Sequence, residues 1–160
     1  MKNLTRNSFF IVLIFLANGC YAEKAVTFFS CTTENHKQIK LIGHQEKSTN
    51  QISVKYIFQN NDDIELLYPE HSNNSLFSYN SYSRYRTNYF RVFFKNYSFE
   101  YMLYRNYNDE LDEDKHEIRA GIYATNTKTG DEYKIPCASI ENDNLHDIKD
   151  FIEKDTIGRL

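Results

Sequence analysis

The chain has 160 residues, with 19 Lys and Arg against 22 Asp and Glu, a net charge of −3 and a mean hydropathy of −0.66. Hydrophobic residues make up 41%, enough for the core of one domain and too many for a disordered chain. Five Gly and two Pro exclude collagen-like and Pro-rich sequences, and the mildly acidic balance gives no general nucleic-acid binder.

Met1–Ala22 reads as a secretory signal. Lys2 and Arg6 form a basic start, and Phe9–Ala17 is an unbroken apolar run. The run is too short for a bilayer core, which needs ~20 residues. Two cleavages fit the residues after the run. Cys20-Tyr21-Ala22 supplies small residues for release of a soluble chain starting at Glu23. Ala17-Asn18-Gly19-Cys20 resembles a lipobox, with Cys20 as a lipidated N-terminus. Ala at −3 and Asn at −2 suit a lipobox poorly, so soluble export is favoured. Neither cut leaves a transmembrane segment. Residues 23–160 then form a single β-rich domain with 17 basic and 22 acidic residues, a net of −5 once Lys2 and Arg6 are gone.

Signal removal also resolves the odd cysteine count. Cys20 leaves or carries lipid, and Cys31 and Cys137 remain. In an oxidising compartment these are expected to pair as a disulfide across 106 positions. Such a staple would place the first and last strands side by side.

Along the mature chain the dominant period is two. Val26–Thr32 and Gln38–Ile42 read as partnered strands across Glu34–Lys37. In Ile52–Phe58 the even positions are Ile, Val, Tyr and Phe, a half-buried strand. Asn60–Asp63 turns it, Ile64–Tyr68 returns, and Pro69 stops the return. His71–Asn74 is a loop. Tyr85–Phe94 and Tyr97–Tyr104 give a hairpin with Lys95-Asn96 as its turn. Asn108–Glu117 is a charged loop. Ile118–Ala124 and Glu132–Cys137 are the last strands. Beyond them Leu145, Ile148 and Ile152 are spaced for one face of an α-helix over about 144–154, capped by Asp143 or Asn144. About eight short strands and one C-terminal α-helix predict a mainly β fold, an antiparallel β-sandwich or barrel.

Catalytic signatures are missing. The five His residues are scattered without helical i, i+4 spacing, and there is no glycine-rich phosphate loop and no G-x-S-x-G elbow. Cys31 has His36 nearby, but disulfide pairing removes its thiol. Asp109–Asp114 lacks the Gly and ligand spacing of a calcium loop. The chain is therefore read as a non-enzyme, with no cofactor and no metal.

The segment Ser81–Tyr107 stands apart. It carries Arg84, Arg86, Arg91, Lys95 and Arg105 against one acid, Glu100, and seven Tyr. Tyr and Arg anchor protein interfaces, because each combines contact area with a directed polar group. In a chain without Trp, Tyr also serves as core and cross-strand aromatic, so both roles are open. The candidate partner-binding residues are Tyr82, Arg84, Tyr85 and Arg86, with Asp109, Glu110, Asp112, Glu113 and Asp114 as an acidic flank. A net of −5 and export argue against nucleic acid.

Phe28–Leu41, containing Cys31-Thr32-Thr33-Glu34-Asn35-His36-Lys37, resembles the opening of a group of short exported Gram-negative proteins. In that group Cys-Thr-Thr-x-Asn-Gly-Lys-x-Ile follows the signal. Asp63–Leu66, Tyr89–Val92 through Asn96–Phe99, Ala120–Ile122 and Ile135–Cys137 agree in order. His36 replaces the usual Gly. The resemblance extends to periplasmic immunity proteins of type VI secretion systems. It implies a β-fold binder in the periplasm whose partner is a cognate cell-wall-targeting effector enzyme. A second likeness, through Gly121-Ile122-Tyr123 and Lys128-Thr129-Gly130, is to periplasmic inhibitors of host or phage lysozyme. A structural or surface-binding module is the third reading.

Overall fold

The computed structural model describes residues 25–46, 49–109 and 118–158; the expected signal segment, residues 1–22, and with it Cys20, lies outside them. Ten strands form one sheet: β1 (Ala25–Thr33), β2 (Gln38–Gln45), β3 (Ile52–Asn60), β4 (Asp63–Tyr68), β5 (Phe77–Arg84), β6 (Thr87–Asn96), β7 (Phe99–Asn108), β8 (Ile118–Asn126), β9 (Glu132–Asp143) and β10 (Glu153–Lys154). Their order is β10-β5-β6-β7-β8-β9-β1-β2-β3-β4. All pairings are antiparallel except β10 with β5, which is parallel. The sheet curls into a half-barrel. It is not two stacked sheets, and edges β4 and β10 are not hydrogen-bonded to each other.

Three expectations are corrected here. Among the described residues the strands number ten rather than about eight. β5 escapes a sequence reading because four of its eight residues are Ser or Asn, types that mark loops. Only Phe77 and Tyr79 carry its inward apolar face, set opposite Phe94 and Val92 of β6. The hairpin register also differs. β6 starts at Thr87, and Asn96 pairs with Phe99, so Tyr97-Ser98 is the turn rather than Lys95-Asn96. Tyr97 takes a φ of 51°, a left-handed backbone that residue type does not signal for Tyr.

The expected C-terminal α-helix is instead a 3-10 helix over Leu145–Asp150. Leu145 and Ile148 are buried at three-residue spacing, which a 3-10 turn aligns on one face as well as an α-helix does. The chain then extends, buries Ile152 and pairs Glu153 with Ser78. Asn144 makes no side-chain cap. Asp143 is held elsewhere, by Arg105, with Oδ2 2.8 Å from the Nη2 donor. Among the described residues no helix is long and apolar enough to cross a membrane.

β9 joins the two halves of the sheet. Residues 132–136 pair with β8, ending at Gly121 opposite Pro136. Residues 137–143 pair with β1, starting at Thr33 opposite Cys137. The strand changes neighbours between Pro136 and Cys137, and the Cys31–Cys137 disulfide sits at that corner with Cα atoms 5.7 Å apart. Strands that bend from one pairing to another make the corners of curled sheets. Gly121 permits the close approach: a Cβ there would lie 2.5 Å from the Ile135 carbonyl oxygen.

The concave face holds the core. Phe28, Phe29, Leu41 and Val54 from one half meet Phe77, Phe90, Leu103 and Ile122 from the other. Leu145, Ile148 and Ile152 cover this core where the Phe28 and Phe151 rings meet at a tilt, centroids 5.3 Å apart. Near the free edge Asn74 stands in for a missing strand. Its side chain accepts from the Val54 N–H (2.8 Å) and donates to the Ile52 carbonyl (2.7 Å). β4 does not reach these residues, pairing only with 56–60.

Replacing both cysteines, Cys31→Ala with Cys137→Ala, should lower unfolding stability by about 2–4 kcal/mol, because the denatured chain regains the freedom of a long loop. Urea titration followed by far-UV circular dichroism measures this. A midpoint equal to that of the oxidised chain would show that the corner holds without its bridge.

Candidate functional site

The Tyr- and Arg-rich segment separates into three environments. At one end of the sheet the β5–β6 hairpin turns through Tyr85-Arg86, with Arg84 opposite Thr87 and Arg86 at a φ of 59°. Tyr85 is 84% exposed. Tyr82 and Tyr89 stack across the strands at 6.1 Å. Beneath this tip lies Asp109. Its Oδ1 accepts from Arg86 Nε at 3.1 Å, and its Oδ2 accepts from the Tyr107 hydroxyl at 3.0 Å. Its backbone N–H donates to the Arg86 carbonyl at 3.2 Å. The Asp109 side chain is only 5% exposed. The bond to Asp109 also pushes the Tyr107 hydroxyl pKa up.

Thus Tyr82, Arg84, Tyr85 and Arg86 share one hairpin end, and Asp109 sits under it as a clamp instead of facing solvent. Glu110, Asp112, Glu113 and Asp114 lie outside the described residues.

The second environment is the convex face of β6–β9. Here Arg91 lies over Tyr89 (5.6 Å) and Tyr104 (6.0 Å), and Lys134 lies over Tyr104 (5.8 Å) and Tyr123 (5.3 Å). Arg91 Nη1 donates to Asn106 Oδ1 at 2.5 Å and to the Phe90 carbonyl at 3.0 Å. Burial pulls the Arg91 pKa down. A hydrogen bond with Tyr123 and the nearby Tyr104 raise that of Lys134. These cation–ring contacts link β6, β7, β8 and β9 on the convex face, while the buried Arg91 Nε has no hydrogen-bond partner among the described residues. Where β9 leaves β8, a polar cleft of about 600 Å³ opens between Arg119, Ser139 and Asp143.

The third environment is inward. Arg105 grips Asp143 through Nε and Nη2, at 3.0 and 2.8 Å, across the gap that β9 leaves beside β8. Its Nη1 also donates to Asn88 Oδ1 at 3.3 Å, which lies 3.2 Å from His146 Nε2. The His146 ring meets Phe90 edge-on at 4.7 Å.

A feature the sequence did not disclose lies at the opposite end of the concave face. Phe90 and Phe94 share the inward side of β6 four residues apart, roughly 13 Å at ~3.3 Å per residue. Beyond Phe94 the curled sheet stays open as a groove of about 670 Å³ between β3–β4 and β7–β9. Its walls include Tyr56, Phe58, Phe99, Tyr101, Tyr133 and Ile135. The signal was present as inward aromatics on two strands, Tyr56 and Phe58 on β3 and Phe99 and Tyr101 on β7. That the two strands face each other follows only from the curl.

Comparison with family models, curated proteins and solved structures finds no match.

Burial holds the His146 imidazole below its ordinary range, and the neighbouring Lys149 and Arg105 cations add to this against Asp143 and Asp147. The folded chain therefore binds the proton more weakly than the unfolded chain. His146 costs no stability while neutral in both states, and destabilises the fold as pH falls below about 6.5. Melting temperatures between pH 7.5 and 5.5 should fall more steeply for the native chain than for His146→Gln. Equal slopes would contradict this assignment.

Proposed function

We propose that this chain is an exported binding protein that neutralises a cell-wall-targeting effector enzyme in the periplasm by direct contact. This is the role of the immunity proteins its sequence resembles. The observation that supports it is the β5–β6 tip. An exposed tyrosine, Tyr85, is carried on a turn anchored from below by the buried carboxylate of Asp109. Exposed aromatic and arginine side chains on a rigid support make strong anchors, because little ordering cost remains on binding. Tyr82, Arg84, Tyr85 and Arg86 form the proposed contact set. Asp109 acts as a positioning residue, and Glu110, Asp112, Glu113 and Asp114, which follow it in the sequence, are the proposed acidic complement. Inhibition is by occlusion: the tip enters the effector's cleft and excludes substrate, with no bond made or broken. Release at Glu23 frees the chain in the periplasm, and lipidation at Cys20 is the anchored alternative.

The test is co-production with the product of the neighbouring gene, the proposed effector. A stoichiometric complex and protection from lysis are expected. Tyr85→Ser should weaken the complex by about tenfold or more while leaving the melting temperature unchanged. Full lethality of the effector in the presence of the native chain would overturn the proposal.

A further inference from the structure

β9 is paired on both sides for only part of its length. Residues 132–136 pair with β8, and β1 joins the other side only from Cys137 onward. Among the described residues no strand covers that other side of residues 132–136. The hairpin sets the direction of the backbone groups there. The Asn126 N–H donates to the Asp131 carbonyl at 2.8 Å, and pairs that exchange hydrogen bonds recur at every second residue of an antiparallel ladder. Ala124 with Tyr133, and Ile122 with Ile135, are therefore the bonded pairs, and the N–H and C=O groups of Glu132 and Lys134 point away from β8. Pro136 has no N–H, so the row of donors ends there. The open groove runs along this edge, with Glu132, Tyr133 and Lys134 in its lining.

The charges on this edge have no counter-charge of their own. Glu132 is exposed and belongs to no ion pair among the described residues. Lys134 lies over the Tyr104 and Tyr123 rings, and the groups that act on its charge are those two tyrosines and Arg119, with no carboxylate among them. Two residues apart, Glu132 and Lys134 share one side of the strand. Tyr133, on the other side, is 53% exposed, with the Phe99 ring 6.3 Å away. An exposed, unpaired strand edge is a template for another chain. Turned about a two-fold axis at Tyr133, this edge complements itself: Glu132 of each copy falls opposite Lys134 of the other, and Tyr133 falls opposite Tyr133. The outward N–H and C=O groups of residues 132 and 134 then meet as bonded pairs. The two tyrosines occupy the non-hydrogen-bonded pair, where side chains come closest. The edge strand β4 carries Asp63 and Glu65 and no base, so it lacks this match.

We propose that two copies of this chain join edge to edge through β9, antiparallel about a two-fold axis at Tyr133, with Glu132 of each copy paired to Lys134 of the other. Three paired residues and one ring pair make a small interface, so the dimer is weak and forms only as concentration rises. The β5–β6 tip lies at the opposite end of the sheet, so both copies keep it exposed, and the pairing stands whether or not the chain blocks an enzyme.

The test is sedimentation velocity of the intact disulfide-bonded chain over a concentration series. A dimer that grows with concentration is expected, and high salt should diminish it by screening the two ion pairs. Glu132→Lys, at an exposed position, should keep the native melting temperature and weaken dimerisation at least about tenfold, since two attractive cross-strand pairs become repulsive. Lys134→Glu should also weaken it, and an equimolar mixture of the two variants should form a heterodimer. Hydrogen exchange gives a second readout: the amides of Glu132 and Lys134 should slow as concentration rises, while that of Tyr133, already bonded to β8, stays unchanged. A monomer at every concentration up to the solubility limit would overturn the pairing and leave the edge to a strand of another protein. A dimer indifferent to Glu132→Lys, or one that slows exchange in β4 instead, would place the contact elsewhere and overturn it equally.

Discussion

The structure depends on one corner. β9 serves β8 with its first five residues and β1 with the rest, so a single strand carries the hydrogen bonding from one half of the sheet to the other. Cys31 and Cys137 lock the point of change. Arg105 spans the gap that opens beside it by gripping Asp143, and Gly121 leaves room for the backbone of β9 to come close. These restraints fix how the two halves lean together. The lean defines both ends of the concave face: one covered by Leu145, Ile148 and Ile152, the other left open between Tyr56 and Tyr101.

The same division explains how the chain uses its 13 tyrosines. Tyr104 and Tyr123 spend their faces on Lys134, and Tyr89 and Tyr104 on Arg91. Tyr56, Tyr68 and Tyr101 build the inner wall around Phe94. Tyr85 is turned outward almost entirely. In a sequence these residues look alike, and the strand register assigns them different work. A tyrosine opposite a cation on the convex face is structural. One at a turn, beyond the last cross-strand pair, has no neighbouring strand to cover it.

Much of the fold was legible because period-two alternation is local. Ile52, Val54, Tyr56 and Phe58 declare their face without reference to any other strand, and the expected pairing of Cys31 with Cys137 is present. The errors arose where the deciding contact is distant. β5 is a strand because Phe94 and Val92 of β6 lie opposite Phe77 and Tyr79, not because of its own Ser and Asn. The spacing of Leu145 and Ile148 suits a 3-10 turn and an α-helix equally, and pairing of Glu153 with Ser78 ends the helix before it can continue. Asp109 looked like the start of an acidic surface, and the bonds of Arg86 and Tyr107 draw it under the hairpin. The groove was invisible for the same reason, since sequence shows which faces are apolar but not which faces oppose.

Amide hydrogen exchange on the oxidised and the reduced chain tests most directly whether the corner governs the whole sheet. If it does, reduction accelerates exchange together in β1 and β9, in β3 and β7 around the groove, and in the β5–β6 hairpin. If acceleration stays within a few residues of Cys31 and Cys137 while the distant strands keep their protection, the halves are held by their own packing and the corner is a local ornament.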